Sequence, residues 1–170
     1  GRTKSTARNQ LILDLGRNDV KEYIIETVSN VLKSANIEYV KWDMNRNMSE
    51  VASSVLDPAR QRETSHRYIL GLYEILEEIT NRFPNILFDA GMLYYMPQVW
   101  TSDDTDAIER LKIQHGTSII YPNVTMGCHV SAVPNHQAHR ITPLKTRGAV
   151  AMSGNFGYEL DITKLSNEEK

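Results

Sequence analysis

The chain has 170 residues, 41% of them hydrophobic and 24% charged, and 19 basic against 21 acidic side chains give a formal charge of −2. This mixture is that of a folded domain, and the near balance of charge argues against nucleic acid or an anionic membrane as a partner. A lone cysteine, Cys128, excludes an internal disulfide framework, and no stretch approaches the roughly 20 apolar residues of a membrane span. Residues 1–8 are polar and lack the apolar segment of a signal peptide. The single cysteine favours a reducing compartment, and we expect a cytoplasmic location.

The first predicted elements are a strand and a helix. Residues 11–15 form a short apolar run closed by Gly16, which predicts a buried strand. Asp19 and Glu22 have the spacing of a capping box, and apolar residues at helical spacing continue to Ala35. A strand followed by a helix is the first half of a βαβ unit.

The same order repeats along the middle of the chain. Residues 37–42 predict a second strand, and Asp57, followed by proline, predicts the start of a long helix. An apolar stripe extends this helix to just before Pro84. Residues 85–89 and 98–103 predict the third and fourth strands.

The last third of the chain predicts one more helix and two more strands. Residues 105–115 predict a helix closed by Gly116 as its C′ residue, and residues 118–121 predict a fifth strand. Residues 123–146 are rich in Gly, Pro, Asn and His and predict a loop, and residues 149–153 predict a sixth strand. The alternation of strands and helices predicts a parallel α/β architecture.

Polar residues recur at the C-terminal ends of the predicted strands, which is where parallel α/β barrels place their chemistry. They are Asp14, Asp43, Asp89, Asp103 and Ser153. A turn or a helix cap explains any one of these aspartates taken alone. Two of them, Asp43 and Asp103, stand in sequence contexts that favour a catalytic role.

Asp43 is surrounded by cationic and amide side chains. The period of a strand places Lys41, Asp43 and Asn45 on one face, and Trp42 on the other. Cations and amide donors would keep the carboxylate ionised, as a nucleophile requires. The alternative is a solvated Lys–Asp pair, although a strand end enclosed by helices would give a buried charge that needs partners.

Asp103 lies in an acidic cluster with Asp104 and Asp106. Because three carboxylates in four residues repel one another, we expect the pKa of at least one to rise, which suits a general acid. A helix cap at Asp104 or Thr105 and the helix dipole at Asp106 explain these neighbours, which leaves Asp103 as the candidate acid. A Mg²⁺ or Ca²⁺ site is the alternative, but the loop lacks the Gly and Glu pattern of a helix–loop–helix calcium site. Paired carboxylates across a parallel barrel are what glycoside hydrolysis needs.

Longer stretches of the sequence carry a family resemblance. They are residues 8–11, 39–46, 91–98, 100–103, 105–111, 129–137 and 152–159. In these stretches the chain resembles the catalytic barrel of α-galactosidases of glycoside hydrolase family 36, the bacterial melibiase and raffinase type. The resemblance implies an α/β fold, a (β/α)8 TIM barrel of which residues 1–170 hold the central and C-terminal portion. It also implies that Asp43 is the nucleophile, that Asp103 is the general acid/base, and that Arg8, Lys41 and Asn45 contact galactose.

The chain departs from the family pattern at one junction. Family members carry a Cys-Ser-Gly-rich loop that helps to form the sugar pocket, whereas Phe88 joins Asp89 directly here. A true deletion would damage sugar binding, so we favour omitted residues, and Asp89 would then follow the loop instead of ending a strand. We also expect the early barrel strands, the β-sandwich before the barrel and the β domain after it to lie outside residues 1–170, since a complete barrel needs about 200 residues or more.

The resemblance implies a retaining α-galactosidase that removes terminal α-linked galactose from oligosaccharides such as melibiose and raffinose, without a metal or organic cofactor, as a homotetramer. An α-N-acetylgalactosaminidase of the same fold and a non-catalytic barrel fragment are the alternatives. Cys128 with His129 and His136 is weak support for zinc or thiol chemistry, and hydrogen bonds that shape the loop explain the histidines better. Tyr94, Tyr95 and Trp100 suit either sugar stacking or core packing, and the same holds for Phe156 and Tyr158.

Overall fold

The contacts of the chain divide it into two compact units, Gly1–Leu87 and Phe88–Lys170. The structure, a computed structural model, describes residues 9–44, 48–49, 51–89 and 94–170. Each unit is built from helices and short strands. In the described ranges no helix combines the length and the apolar character needed to cross a membrane.

The first unit packs two long helices against each other. Its elements are α1 (Asn18–Lys33), β1 (Tyr39–Lys41), a 3-10 helix (Pro58–Glu63) and α2 (Thr64–Arg82), and β2 (Leu87–Asp89) begins at its last residue. The buried stripe of α2 consists of Leu72, Ile75, Leu76 and Ile79, which recur at the three- and four-residue spacing of one helix face. Lys21–Glu74 and Arg82–Glu26 ion pairs link α1 to α2 at the surface.

The segment before α1 passes directly over α2. A β-carbon at Gly71 would lie 1.9 Å from the carbonyl oxygen of Leu15, so only glycine permits this approach of the two backbones. Leu15 is buried beside the stripe, whereas Leu11 and Leu13 are exposed. The prediction of a strand over residues 11–15 is wrong, because these residues pair with no strand in the described part of the chain. At the other end of the unit, the amide of Leu87 donates to the carbonyl of Glu38 at 2.9 Å, which places the start of β2 beside β1.

The second unit is a parallel sheet with helices between its strands. Its elements are β3 (Val99–Trp100), α3 (Ala107–Ser118), β4 (Met126–Ser131), α4 (Leu144–Ala151) and β5 (Asn155–Glu159). The strands pair in chain order, β3–β4–β5, with Trp100 opposite Gly127 and Ser131 opposite Glu159. A parallel bridge between Asp89 and Gln98 continues this order back to the end of β2.

The centre of the sheet is β4, which is buried along nearly its whole length, as a parallel strand covered on both faces should be. Met126, Cys128 and Val130 form a core with Ala151 of α4. Burial raises the pKa of the Cys128 thiol, so this cysteine behaves as a small apolar side chain.

Most predicted elements are confirmed, with shorter strands than expected. The helix over α1 is confirmed, but it begins at Asn18 after Arg17, so the predicted capping box of Asp19 and Glu22 is wrong. Asp19 instead pairs with Arg17 within the first turn, an exposed contact that lowers the pKa of its carboxyl. The second helix starts as predicted, with Pro58 as its first residue, although its first turns are 3-10.

The sheet of the second unit is where sequence and structure differ most. The predicted strand 118–121 is wrong: Ser118 ends α3, and the amides of Ile120 and Tyr121 donate to the carbonyl of Thr117, so this stretch is a turn that follows the helix. For the same reason Gly116 lies inside α3 and does not close it. The predicted loop 123–146 contains β4, and the predicted strand 149–153 falls mainly in α4 and the turn after it.

Candidate active site

Asp43 lies two residues beyond the carboxyl end of β1. Lys41 and Asp43 are exposed and Trp42 between them is half-buried, as strand alternation predicts, although β1 itself ends at Lys41. Arg8 and Asn45, the other two predicted sugar contacts near Asp43, lie outside the described residues.

A cavity of about 210 Å³ adjoins Asp43. It lies between residues 10–13, residues 42–44 and the α2 side chains Tyr68, Leu72 and Ile75. Because its lining is mainly apolar and galactose presents hydroxyl groups, we assign no sugar to it.

Asp103 lies three residues beyond β3, at the carboxyl end of the parallel sheet. Its carboxylate is exposed, and its Oδ1 accepts a hydrogen bond of 2.9 Å from the indole Nε1 of Trp100. An exposed carboxylate held by a side-chain donor at a strand end is placed to exchange a proton with a bound molecule. The predicted position of Asp103 at the end of a strand is therefore close to its actual one.

The turn from Asp103 to α3 is built from a series of local hydrogen bonds. The hydroxyl of Ser102 accepts from the amide of Asp104, and the carboxylate of Asp104 accepts from the amide of Asp106. Asp106 in turn is the N-cap of α3 and accepts from the amides of Ile108 and Glu109 at 3.1 and 3.2 Å. The sequence assigned the cap to Asp104 or Thr105, which is wrong by one or two residues. The three acids of this cluster therefore have different partners.

Arg110 of α3 lies buried beneath this turn, with 2% of its surface exposed. Its guanidinium donates to the hydroxyl of Thr101, to the carbonyl of Ser102 at 2.8 Å and to the carbonyl of Gly127 at 3.4 Å. Its carbon Cζ stands 5.1 Å from the ring centroid of Trp100, within the range of a cation–π contact.

The charge of Arg110 has no carboxylate in direct contact within the described residues. Burial lowers the pKa of its guanidinium, and the nearby charges of Glu159, Asp104 and Asp103 act in the opposite direction, as does Cys128. Glu159 ends β5 and Asp103 follows β3, so acidic side chains follow two strands of this sheet.

The loop after β4 is fastened to the turn that carries Asp103. Arg140 pairs with Asp106, the hydroxyl of Ser131 donates to the carbonyl of Thr105 at 2.8 Å, and the amide nitrogen of Asn135 donates to the Thr105 hydroxyl at 3.3 Å. Asn135 is itself buried. Two neighbouring loops at the carboxyl edge of the sheet are thus joined by three side-chain contacts.

The described residues of the predicted site are divided between the two units. Asp43 and Lys41 adjoin β1 in the first unit, and Asp103 follows β3 in the second. Of the other strand-end candidates, Asp14 accepts from the amide of Gly16 and the hydroxyl of Ser53 in a turn, and Asp89 ends β2 buried. Ser153 precedes β5, so the prediction that it ends a strand is wrong.

The remaining candidates are placed by packing. Cys128 is buried in the core, and the ring of His129 lies 5.0 Å from that of Trp100, while His136 is exposed in the loop after β4. Among the described residues, no three His, Cys, Asp or Glu side chains lie close enough together to hold a metal ion.

Arg110 and Glu159 were missed by sequence reasoning. An arginine on an amphipathic helix normally faces solvent, and its sequence neighbours carry no sign of its burial. Glu159 could have been found by the strand-end argument, had residues 155–159 been predicted as the strand.

Comparison with known proteins gives a consistent family. The model of the Melibiase family matches residues 1–170. The α-galactosidase AgaA of Geobacillus stearothermophilus is 66% identical over 179 residues, covering 99% of this chain and 25% of that protein. The bifunctional α-galactosidase/sucrose kinase AgaSK of Mediterraneibacter gnavus is 48% identical, with coverage of 100% and 18%.

Solved structures agree with the sequence matches. Variants of the family 36 enzyme AgaA bound to raffinose and to stachyose each match with a TM-score of 0.96 and 65% identity, over 99% of this chain and 25% of theirs. In each of these two variants one aspartate has been replaced, by asparagine in the raffinose complex and by alanine in the stachyose complex.

The chain spans about a quarter of the length of the curated relatives it matches. The family model nevertheless covers every residue, and the structural match covers nearly all of them. The chain therefore belongs to the melibiase family, and the relatives it matches are α-galactosidases, with solved structures from glycoside hydrolase family 36.

Proposed function

We propose that the chain is part of the catalytic (β/α)8 barrel of a retaining α-galactosidase, which removes terminal α-linked galactose from oligosaccharides such as melibiose and raffinose. The observation that carries the proposal is the pair of aspartates, Asp43 and Asp103, each just beyond the carboxyl end of a strand in a chain 66% identical to an α-galactosidase. In parallel α/β barrels this edge holds the active site.

The strand order supports a barrel. From the bridge at Asp89 through β3, β4 and β5, neighbours in space are neighbours in sequence and all are parallel, with α3 between β3 and β4 and α4 between β4 and β5. A doubly wound sheet would reverse its strand order at a switch point, whereas a barrel does not. The described strands form an open section, so the closed barrel is part of the proposal.

The spacing of two aspartates in the relative supports the site assignment. The residues replaced in the two AgaA complexes lie 70 positions apart, and Asp43 and Asp103 lie 60 apart here. The AgaA alignment spans 179 residues against the 170 of this chain, so at least nine of its positions have no counterpart here. A family loop missing between Phe88 and Asp89 would account both for the shorter spacing of the two aspartates here and for the alignment positions without a counterpart. Replacing a residue needed for turnover would also explain how intact substrates persist in those crystals.

The mechanism is double displacement with two carboxylates. Asp43 attacks the anomeric carbon while Asp103 gives its proton to the departing glycosidic oxygen, which yields a β-linked galactosyl ester on Asp43 and the free alcohol. Asp103, now ionised, takes a proton from water, and the hydroxide portion displaces Asp43 from the anomeric carbon. Galactose leaves with its α configuration retained. Neither step uses a metal or an organic cofactor.

The wider organisation follows the family resemblance. We propose that residues 1–170 belong to a longer cytoplasmic protein with a β-sandwich before the barrel and a β domain after it, which assembles as a homotetramer. Arg8, Lys41 and Asn45 would contact galactose beside Asp43. The sequence of the complete gene tests the domain order and the Phe88–Asp89 junction together.

The decisive experiment uses the full-length protein with nitrophenyl α-galactoside and, as the competing substrate, nitrophenyl α-N-acetylgalactosaminide. We expect turnover of the first, its loss in Asp43→Ala, and recovery of activity by azide with the β-galactosyl azide as product, because the anion enters from the vacated face. Asp57→Ala, which alters an exposed aspartate before the 3-10 helix, serves as the control. An α-azide from Asp43→Ala would refute the role of nucleophile, and preference for the second substrate would refute the specificity.

A further inference from the structure

The indole of Trp100 lies among polar side chains that include Arg110, His129 and Asp103. One side faces the buried guanidinium of Arg110, and the ring of His129 lies 5.0 Å away at an interplanar angle of 51°. Its Nε1 reaches the carboxylate of Asp103 at 2.9 Å. The ring therefore has packing partners of its own, while its only donor is directed at the candidate acid.

Arg110 binds the two residues that connect the partners of that hydrogen bond. Its guanidinium binds the hydroxyl of Thr101 and the carbonyl of Ser102, the two residues between Trp100 and Asp103. It also reaches the carbonyl of Gly127 in β4, the residue paired with Trp100 in the sheet. A buried cation that bonds backbone and side chain of one short turn resists displacement of that turn.

We propose that Trp100 and Arg110 are positioning residues for Asp103, and that together they fix which carboxylate oxygen carries the transferable proton. The indole N–H is a donor only, so Asp103 Oδ1 must accept from it in both protonation states. The proton that reaches the leaving group then resides on Oδ2. This inference rests on the proposed function, because it gives Asp103 the role of acid/base.

A positioning role differs from simple packing because the loss of kcat/KM should depend on the leaving group of the substrate. The ratio kcat/KM covers the steps up to the galactosyl-enzyme, in which the acid acts on the leaving oxygen. Raffinose needs that proton, whereas nitrophenolate leaves with little assistance. A mispositioned acid therefore lowers kcat/KM for raffinose far more than for nitrophenyl α-galactoside, while a general loss of packing lowers both.

The test uses the full-length protein and two variants. Trp100→Phe keeps an aromatic ring between Arg110 and His129 but removes the N–H donor. Arg110→Lys keeps the charge but removes the planar fork that binds Thr101 and Ser102. Arg82→Lys, at a surface arginine of α2 paired with glutamates, is the matched control. For both test variants we expect kcat/KM for raffinose to fall about tenfold or more, in line with the loss of a hydrogen bond to a charged group.

A double-mutant cycle gives the second readout. If Trp100 acts through Asp103, then Trp100→Phe should cost little once Asp103 is already alanine, so the two losses in kcat/KM for raffinose should not multiply. Equal losses for raffinose and the nitrophenyl substrate, or full multiplication in the double variant, would overturn the proposal. Turnover of the nitrophenyl substrate by the single variants shows at the same time that they fold.

Failure of the proposed function would look different. A wild-type protein without α-galactosidase activity, or an Asp103→Ala variant that keeps its raffinose turnover, would remove the acid/base itself. In contrast, a strong and leaving-group-dependent effect of Asp103→Ala combined with uniform effects of Trp100→Phe and Arg110→Lys would refute only the positioning role.

Discussion

Substituting Gly71 with alanine should destabilise α2, although alanine is the better helix former. The new β-carbon would lie 1.9 Å from the carbonyl oxygen and 2.8 Å from the carbonyl carbon of Leu15. Both are main-chain atoms, so relief requires a shift of the whole segment away from α2. Overpacking of this kind costs about 1–3 kcal/mol, and the higher helix propensity of alanine returns about 1 kcal/mol. Because rigid main chain is involved, we expect a net loss of about 1–2 kcal/mol.

Gly148→Ala in α4 is the matched control, since its β-carbon would meet nothing within 4 Å. Both substitutions replace a helical glycine with alanine. Each therefore gains the same stability from the lower conformational entropy of the unfolded chain. Gly148→Ala should therefore stabilise α4 by about 1 kcal/mol.

The assay is hydrogen exchange of peptides from α2 and α4 in the full-length protein. A loss of 1–2 kcal/mol corresponds to local opening that is about 5–30 times more frequent, so α2 amides should exchange faster by about that factor in Gly71→Ala. In Gly148→Ala the α4 amides should exchange more slowly. Unchanged or slower exchange of α2 in Gly71→Ala would show that the close approach of Leu15 does not exist.

Three further predictions concern caps, protonation and exposed surface. Asp106→Ala removes the N-cap of α3 and the partner of Arg140, so it should lower the free energy of unfolding by about 1–2 kcal/mol in urea titrations. Asp106→Asn retains a cap oxygen and should lose less. Equal losses of stability in the two variants would contradict the capping role. Hydrogen bonds from Arg60 and Arg67 lower the pKa of Glu63 to about 2, so its contribution to stability is present above its usual pKa of 4.5 and is lost as the pH falls from there towards 2. Arg67→Ala should raise this pKa in an NMR titration, and no movement would be inconsistent with the pairing. Residues 1–170 expressed alone should aggregate or stay molten, because Ile119, Ile120 and Val124 are each more than 70% exposed; a monomer with a cooperative thermal transition would contradict this.

The helices were predictable because their signals are local and redundant. The stripe of α2 and the Pro58 start each indicate the same element, and the structure confirms them. In β4 the apolar residues alternate with Gly127 and His129, which interrupt the pattern that normally identifies a buried strand. In α4 only eight residues form the helix, too few for an apolar stripe to repeat.

The candidate site shows a similar division. The strand-end rule predicted positions near strand ends for Asp43 and Asp103, and the structure places each just beyond a strand, because that rule depends only on where strands stop. What lies beneath Asp103 depends on tertiary packing: Arg110 is seven residues further along and reaches Gly127 on another strand. Side-chain contacts between distant segments produce no repeating pattern of residues that a single sequence would reveal.

In the proposed α-galactosidase, the hydrogen bonds and ion pair between the β4–α4 loop and the turn before α3 would limit how the substrate range can change. Arg140 and Asn135 couple that loop to Asp106 and Thr105, only a few residues from Asp103, the proposed acid. If the β4–α4 loop alone were replaced by that of a relative with another oligosaccharide preference, the substrate-facing surface would change. The same replacement would also disturb the turn that carries Asp103, the proposed proton donor. Grafts that exchange residues 101–106 and 132–143 as one cassette should retain turnover, whereas single-loop chimaeras should lose it even when their new contacts to the sugar are favourable.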